Sequence, residues 1–165
     1  MARIVSDWRI DFMRAHPRLF DLMTDEPERS FGYPLCDAGW RDALERLCTR
    51  IEDALRDGDT FEFVRIKQKF GILRVDWDGE VSGETRLRIG EAINLVVARS
   101  ACSCEICGAD GRLYSHRGWL ATLCAEHRWA IRCRSGPASR TFTSCAGRPA
   151  RQTCTTRATT ARPTR

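Results

Sequence analysis

Apolar residues recur at helical spacing in three stretches of the chain, and two alternating stretches lie between the second and the third. In the first stretch, residues 4–24, His16-Pro17 interrupts the pattern because the residue before proline avoids helical backbone. We therefore predict two short helices there, followed by an irregular connection over residues 24–39, which are rich in Pro, Gly and Asp. The apolar positions of this stretch are Ile4, Trp8, Phe12, Leu19, Phe20 and Met23.

The second stretch has the strongest helical pattern. Asp37 is a candidate cap, and the segment Asp57-Gly58-Asp59 ends the pattern. The apolar positions recur at steps of three and four residues, which predicts a helix with one buried side. They are Trp40, Leu44, Leu47, Ile51 and Leu55.

Residues 60–68 and 72–77 are rich in aromatic and β-branched side chains and predict two β-strands. Lys69-Phe70-Gly71 lies between them, and its glycine suits the positive φ of a tight turn. We predict a β-hairpin with Val64 and Ile66 on its core face. A third helix is predicted over residues 82–101, with an apolar side formed by Leu87, Ile89, Ile93, Val96 and Val97.

Charge is distributed unevenly along the 165 residues. Residues 128–165 hold nine Arg and no acidic residue, so they carry +9 of the formal net charge of +5, and residues 1–127 carry +5 − 9 = −4. Bulk charge therefore gives no support to a basic folded domain. From about residue 134 the chain is almost all Arg, Ser, Thr, Ala, Pro and Gly, a composition that predicts a disordered tail.

The chain has nine cysteines, and four ligand-type residues fall into two closely spaced pairs. The first pair is Cys104 and Cys107, followed by Gly108, and the second is Cys124 and His127. Two such pairs separated by a short excursion are the spacing of a tetrahedral zinc site with three thiolates and one imidazole. The predicted order of knuckle, hairpin and short helix is that of a treble-clef finger. Cys102 has the poorer spacing and is left out of the predicted site.

Four protein ligands close the coordination shell of zinc, which favours one structural ion over a catalytic one. A nuclease of the HNH type is the alternative, because such enzymes share the treble-clef core. His116 is the one candidate for a general base, but no second histidine or aspartate stands beside it, and no asparagine follows it.

The only two lysines of the chain, Lys67 and Lys69, lie in the predicted hairpin and point to one face of a strand. With Arg65, Arg74 and Phe70 they form a candidate surface for phosphate or an acidic partner. The alternative is a solvated strand face without a partner. Trp40 and Trp119 are predicted to cover the core and the zinc site.

Several short motifs together resemble a family of small bacterial and phage proteins without an established activity. The similarity extends over about residues 17–128 and implies a zinc-finger-like C-terminus and a phage or prophage setting. Members end soon after the final histidine, so the tail is either a frameshift product or an arginine-rich segment that binds nucleic acid. The matching residues are Phe31-Gly32, Cys36-Asp37, Gly39-Trp40, Leu47-Cys48, Lys67, Lys69-Phe70-Gly71, Leu73-Arg74, Ser100, Cys104-Glu105, Cys107-Gly108-Ala109, Gly111, Gly118-Trp119, Thr122-Leu123-Cys124 and His127.

These patterns predict an α+β fold with a helix–hairpin–helix core, a C-terminal treble-clef-like zinc finger and a disordered tail. The predicted segments are residues 1–36 (helical), 37–101 (core), 102–132 (finger) and 133–165 (tail). The expected function is that of a non-enzymatic module that binds protein or nucleic acid, with the nuclease or an inhibitor of a host defence complex as alternatives. No signal peptide or membrane-spanning run is present, so a cytoplasmic protein without a small-molecule cofactor is expected.

Overall fold

A computed structural model describes residues 7–130 of the chain. The fold is α+β, as predicted, with three helices, a three-stranded sheet of order β1-β2-β3 and a two-stranded sheet of β4 and β5. The predicted tail and residues 1–6 lie outside the described range. The elements are α1 (Trp8–Ala15), β1 (Pro34–Leu35), α2 (Arg41–Ala54), β2 (Glu62–Lys69), β3 (Ile72–Asp78), α3 (Gly83–Ser100), β4 (Arg112–His116) and β5 (Trp119–Leu123).

Helix α1 begins where Asp7 accepts a hydrogen bond from the amide of Arg9, and it ends before Pro17, as predicted. The second short helix predicted after this proline is wrong. The carbonyl of Leu19 accepts a hydrogen bond from the amide of Phe63 instead, so this stretch lies against the start of β2. Leu19 and Phe20 are still buried, because apolar side chains pack from this irregular segment as well as from a helix.

The connection predicted over residues 24–39 contains one strand that the sequence pattern does not show. Strand β1 pairs in parallel with β2, placing Pro34 beside Ile66 and Leu35 beside Lys67. A two-residue strand is too short to show an alternating pattern. A 3₁₀ turn over Ala38–Trp40 follows, so Asp37 makes no capping hydrogen bond, and α2 begins only at Arg41.

The hairpin of β2 and β3 is confirmed. Phe70 and Gly71 both have positive φ, 56° and 84°, which is the geometry of a type I′ turn. The expected core position of Val64 is wrong, because a β-bulge between Phe63 and Arg65 turns the Val64 side chain outward. Ile66 is fully buried, as predicted.

Helix α3 is confirmed, with Ser82 as its cap. Leu87, which we expected on its apolar side, is 76% exposed. Leu87 stands two positions before Ile89, which places it about 200° around the helix from that buried residue. One continuous core joins all three helices to the buried face of the three-stranded sheet, with Trp40 and Phe63 among its largest buried side chains. Between residues 7 and 130, no helix has the length and apolar character needed to cross a membrane.

Tyr33 ties β1 to the start of α1, because its hydroxyl donates a 2.6 Å hydrogen bond to Asp7. Burial and this hydrogen bond raise the pKa of Tyr33 from 10.0 to about 12. Since the pKa is higher in the folded state, the contribution to stability is complete below about pH 10 and is lost as the pH rises toward 12. Burial acts to raise the pKa of Asp7, but its hydrogen bonds to Tyr33 and Arg9 hold it below its usual value.

We expect Asp7→Asn to move the titration midpoint of Tyr33 down toward 10, because the negative charge that opposes its ionisation is removed. The ring carbon resonances of Tyr33 report this midpoint in an NMR titration. A midpoint that is the same in both proteins would attribute the shift to burial alone.

Candidate metal centre

The structure brings together the four predicted ligands Cys104, Cys107, Cys124 and His127. One ligand atom from each lies within 4.8 Å of all the others, and no further group of this kind occurs among residues 7–130. The sulfurs of Cys107 and Cys124 are 3.8 Å apart, and Nδ1 of His127 lies 3.2 Å from the sulfur of Cys124 and 3.6 Å from that of Cys104. A tetrahedron with zinc–ligand bonds of normal length has edges of about 3.5–3.8 Å. The cluster therefore has the size of a tetrahedral metal site before any ion is considered.

The first pair of ligands lies in a tight turn closed by backbone hydrogen bonds. The amide of Cys104 donates to the carbonyl of Ala109 at 2.7 Å, and the amide of Gly108 donates to the carbonyl of Cys104 at 2.8 Å. Gly108 has a φ of 76°, a conformation that favours glycine. The Ala109 amide hydrogen-bonds to the sulfur of Cys107, as expected of a zinc knuckle.

The second pair follows β5 directly. The amides of His127 and Arg128 both donate to the carbonyl of Cys124, which folds the chain back so that the His127 ring faces the sulfurs. We expected this pair at the start of a short helix. Residues 125–129 form turns instead, and helical backbone begins at Ala130, the last described residue.

The chemistry of the cluster suits a cation. Burial raises the pKa of Cys107 to about 12, and the neighbouring Cys104 and Cys124 raise it further against the hydrogen bond from Ala109. Three thiol groups held this close cannot ionise together unless a positive charge lies among them. A divalent ion that prefers sulfur and imidazole ligands supplies that charge, so these four residues could hold a metal ion.

The other cysteines of the described range take no part in the cluster. Cys102 is exposed and its sulfur lies near the carbonyls of Ala98 and Arg99, in agreement with its omission from the predicted site. Cys36 and Cys48 are buried in the core, where burial raises the pKa of both thiols and makes them unreactive. Cys133, Cys145 and Cys154 lie outside the described residues.

The knuckle rests directly on the turn that precedes α2, a contact that the sequence pattern did not reveal. The amide of Gly39 donates to the carbonyl of Glu105 at 2.8 Å, and the indole of Trp40 donates to the carbonyl of Ser103 at 2.9 Å. A Cβ atom at Gly39 would lie only 2.3 Å from the carbonyl oxygen of Cys104. The Gly39-Trp40 motif is the one signal that could have indicated this contact, because it pairs the smallest residue with a large indole donor.

The hairpin of β4 and β5 also contacts the core. The hydroxyl of Thr122 donates to the carbonyl of Gly71, and the amide of Gln68 donates to the carbonyl of Leu120, both at 2.6 Å. The predicted cover role holds for Trp40, which is fully buried, but not for Trp119, which is 42% exposed near the tip of this hairpin. The metal cluster is thus joined to the core by backbone and side-chain hydrogen bonds on two sides.

His116, the candidate general base, lies at the end of β4 opposite Trp119. It is half-buried and does not belong to the group of four ligands. The structure therefore leaves the metal cluster with three cysteines and His127 as its ligands.

The predicted partner-binding residues do share one surface, which we call the hairpin face: Arg65, Lys67, Lys69, Arg74 and Asp76, with Phe70 at its end. Lys67 stands opposite Arg74, and Arg65 opposite Asp76. Asp76 pairs with Arg74 at 3.2 Å and lies 3.7 Å from Arg65.

The ammonium of Lys69 lies 5.2 Å from the centre of the Phe70 ring, which is 68% exposed. Four cations, one carboxylate and an open aromatic ring therefore lie together on this side of the sheet.

Comparisons with known protein families, with characterised proteins and with solved structures find no match to this chain.

Proposed function

We propose that this chain is a non-enzymatic, zinc-stabilised module that binds nucleic acid through the hairpin face. The observation that carries the proposal is the placement of Arg65, Lys67, Lys69 and Arg74 on one exposed sheet surface beside Phe70. Residues 1–127 are acidic overall, so these cations stand out against the rest of the described surface. A local cluster of this kind, rather than net charge, is what positions a phosphate backbone.

Zinc is the ion that best suits the cluster. Three sulfurs and one imidazole nitrogen at tetrahedral distances are a common structural zinc set, whereas magnesium and calcium require oxygen ligands. The order of the Cys104 knuckle, the β4–β5 hairpin and the Cys124 turn supports a treble-clef finger. Four protein ligands complete the coordination, so such an ion would organise the fold and would activate no water.

The exposed Phe70 ring suggests single-stranded nucleic acid. Bases that are not held in a duplex can stack on an open aromatic ring while cations beside it contact the phosphates. Lys69 lies against the same ring, so one base and its phosphate could be bound together.

The nuclease remains the alternative function, with His116 as its base. It is tested by incubating the protein with plasmid DNA and Mg²⁺ or Mn²⁺: nicking that disappears in His116→Ala would replace the binding module by an enzyme. The phage setting, and with it inhibition of a host defence complex, rests on the family resemblance alone.

We expect the double variant Lys67→Ala/Lys69→Ala to bind labelled single-stranded DNA more weakly and with a smaller salt dependence. The slope of log K against log salt should fall by about 1.4, since each lost phosphate contact contributes about 0.7 on single strands. Fluorescence anisotropy across a salt series measures both quantities in the full-length chain.

The matched control is Arg14→Ala/Arg29→Ala, which removes the same charge from exposed positions elsewhere. Its slope should stay within experimental error of the parent. Equal losses in the two double variants would mean that net charge, including the arginine-rich residues 131–165, accounts for binding, and would remove the hairpin face from the proposal.

A further inference from the structure

Helices α2 and α3 pack side by side and leave a groove on their outer surface. Three adjoining depressions of about 390, 260 and 200 Å³ form it. The first reaches the knuckle at Cys107 and shares Ala43 and Arg99 with the second, and the second shares Arg50 and Leu95 with the third. The groove is therefore continuous from the metal cluster to the far end of the helix pair.

The groove combines an apolar floor with arginines at its rim. Leu95 is 47% exposed on the floor, where Ala43 and Ala92 leave room beside it. Arg46 is paired with Asp42 at 3.0 Å, but Arg50 and Arg99 form no ion pair with any residue in the described range. Asp53 and Glu91 line only the end away from the knuckle, so the uncompensated positive charge lies in the half nearer the metal cluster.

We propose that this groove binds an acidic amphipathic helix of a partner protein. A helical partner satisfies its own backbone hydrogen bonds, whereas an extended peptide would find no free backbone groups on two helices to pair with. Its apolar stripe would cover Leu95, and its carboxylates would meet Arg50 and Arg99. The 14 residues of α2 span about 21 Å, which matches three to four turns of a partner helix.

Nucleic acid suits this groove less well than it suits the hairpin face. A phosphate backbone gains nothing from the apolar floor, and the carboxylates of Asp42, Asp53 and Glu91 would repel it. The groove and the hairpin face are thus assigned to different partners, and the groove does not depend on the nucleic-acid proposal.

The test is an NMR titration of the ¹⁵N-labelled full-length chain with a synthetic 16-residue capped peptide. Its leucines recur at steps of three and four, and its remaining positions are glutamate and alanine. We expect amide shifts confined to the residues of α2 and α3 that line the groove. A scrambled peptide of the same composition, which has no apolar stripe, should bind at least about tenfold more weakly.

Two variants locate the binding site independently of each other. Arg50→Glu/Arg99→Glu should weaken binding by at least about tenfold, because like charges then face each other. Arg14→Glu/Arg29→Glu makes the same change in net charge at exposed positions elsewhere and should stay within about twofold of the parent. Leu95→Glu keeps the proposal testable if the double variant does not fold, since it changes one exposed side chain and should also weaken binding at least about tenfold.

Three results would overturn the proposal: no shifts at millimolar peptide, equal binding of the scrambled peptide, or shifts mapped outside α2 and α3. Single-stranded DNA that shifts the same groove resonances, and is weakened by the same variants, would reassign the groove to nucleic acid.

Discussion

Removal of the metal is expected to unfold the joint between finger and core and not the finger alone. Without an ion, the three sulfurs and the His127 ring lose the charge that holds them together, and the knuckle loses its support for Gly39 and Trp40. We expect a strong chelator to lower the melting temperature by at least about 10 °C, which corresponds to about 4 kcal/mol or more. The indole N–H of Trp40, hydrogen-bonded to Ser103, should lose its protection from solvent exchange at the same time.

The matched pair of variants for this prediction is Cys104→Ser and Cys102→Ser. Cys104 is a fully buried ligand, whereas Cys102 is exposed and stands outside the cluster. Mass spectrometry under native conditions should find one zinc per chain in the parent and in Cys102→Ser, and a large loss in Cys104→Ser. A metal-free protein with an unchanged melting temperature would show that the cluster is not structural.

The second large effect is expected from Gly39→Ala. The added methyl carbon would lie 2.3 Å from the oxygen of Cys104, 2.5 Å from the nitrogen of Gly108 and 2.6 Å from the nitrogen of Cys107. All three are backbone atoms of the knuckle, so no side-chain rotation can relieve the overlap, and the knuckle itself must move. We expect a loss of about 3–5 kcal/mol in the free energy of unfolding, measured by urea denaturation.

The same variant should bind zinc about 10–100-fold more weakly in competition with a chromophoric chelator, because Gly39 supports the ligands without touching the ion. Gly90→Ala in α3 is the control, since nothing lies within 4 Å of the added carbon. It should be neutral or stabilising by up to about 1 kcal/mol, as alanine favours a helix. If Gly39→Ala behaved like this control, the close packing of knuckle and core would be wrong.

Sequence alone was sufficient wherever a feature depends on local spacing. The two ligand pairs, the hairpin turn at Phe70-Gly71 and the helices around Leu44 and Ile89 follow from residues a few positions apart. The type I′ turn requires positive φ at two positions, and the glycine indicated where it would be.

Features that depend on distant partners could not be predicted in this way. The bulge that exposes Val64 occurs where the carbonyl of that residue accepts the amide of Gly32, half the domain away in sequence. The chain around Leu19 is irregular because its carbonyl serves Phe63 instead of a helix. Trp119 is exposed because the β4–β5 hairpin contacts the core through Thr122 and Leu120 and leaves its tip free.

The N-terminal helix also has a consequence for solubility. Strand β1 lies at the edge of its sheet, and edge strands with free carbonyl groups are templates for aggregation. Arg9 of α1 donates to the carbonyls of Pro34 and Cys36 at 2.9 and 2.7 Å, so its guanidinium occupies the sites that an incoming strand would use. A protease that removed α1 would therefore uncover an adhesive edge as well as part of the core, and the clipped protein should form β-rich aggregates.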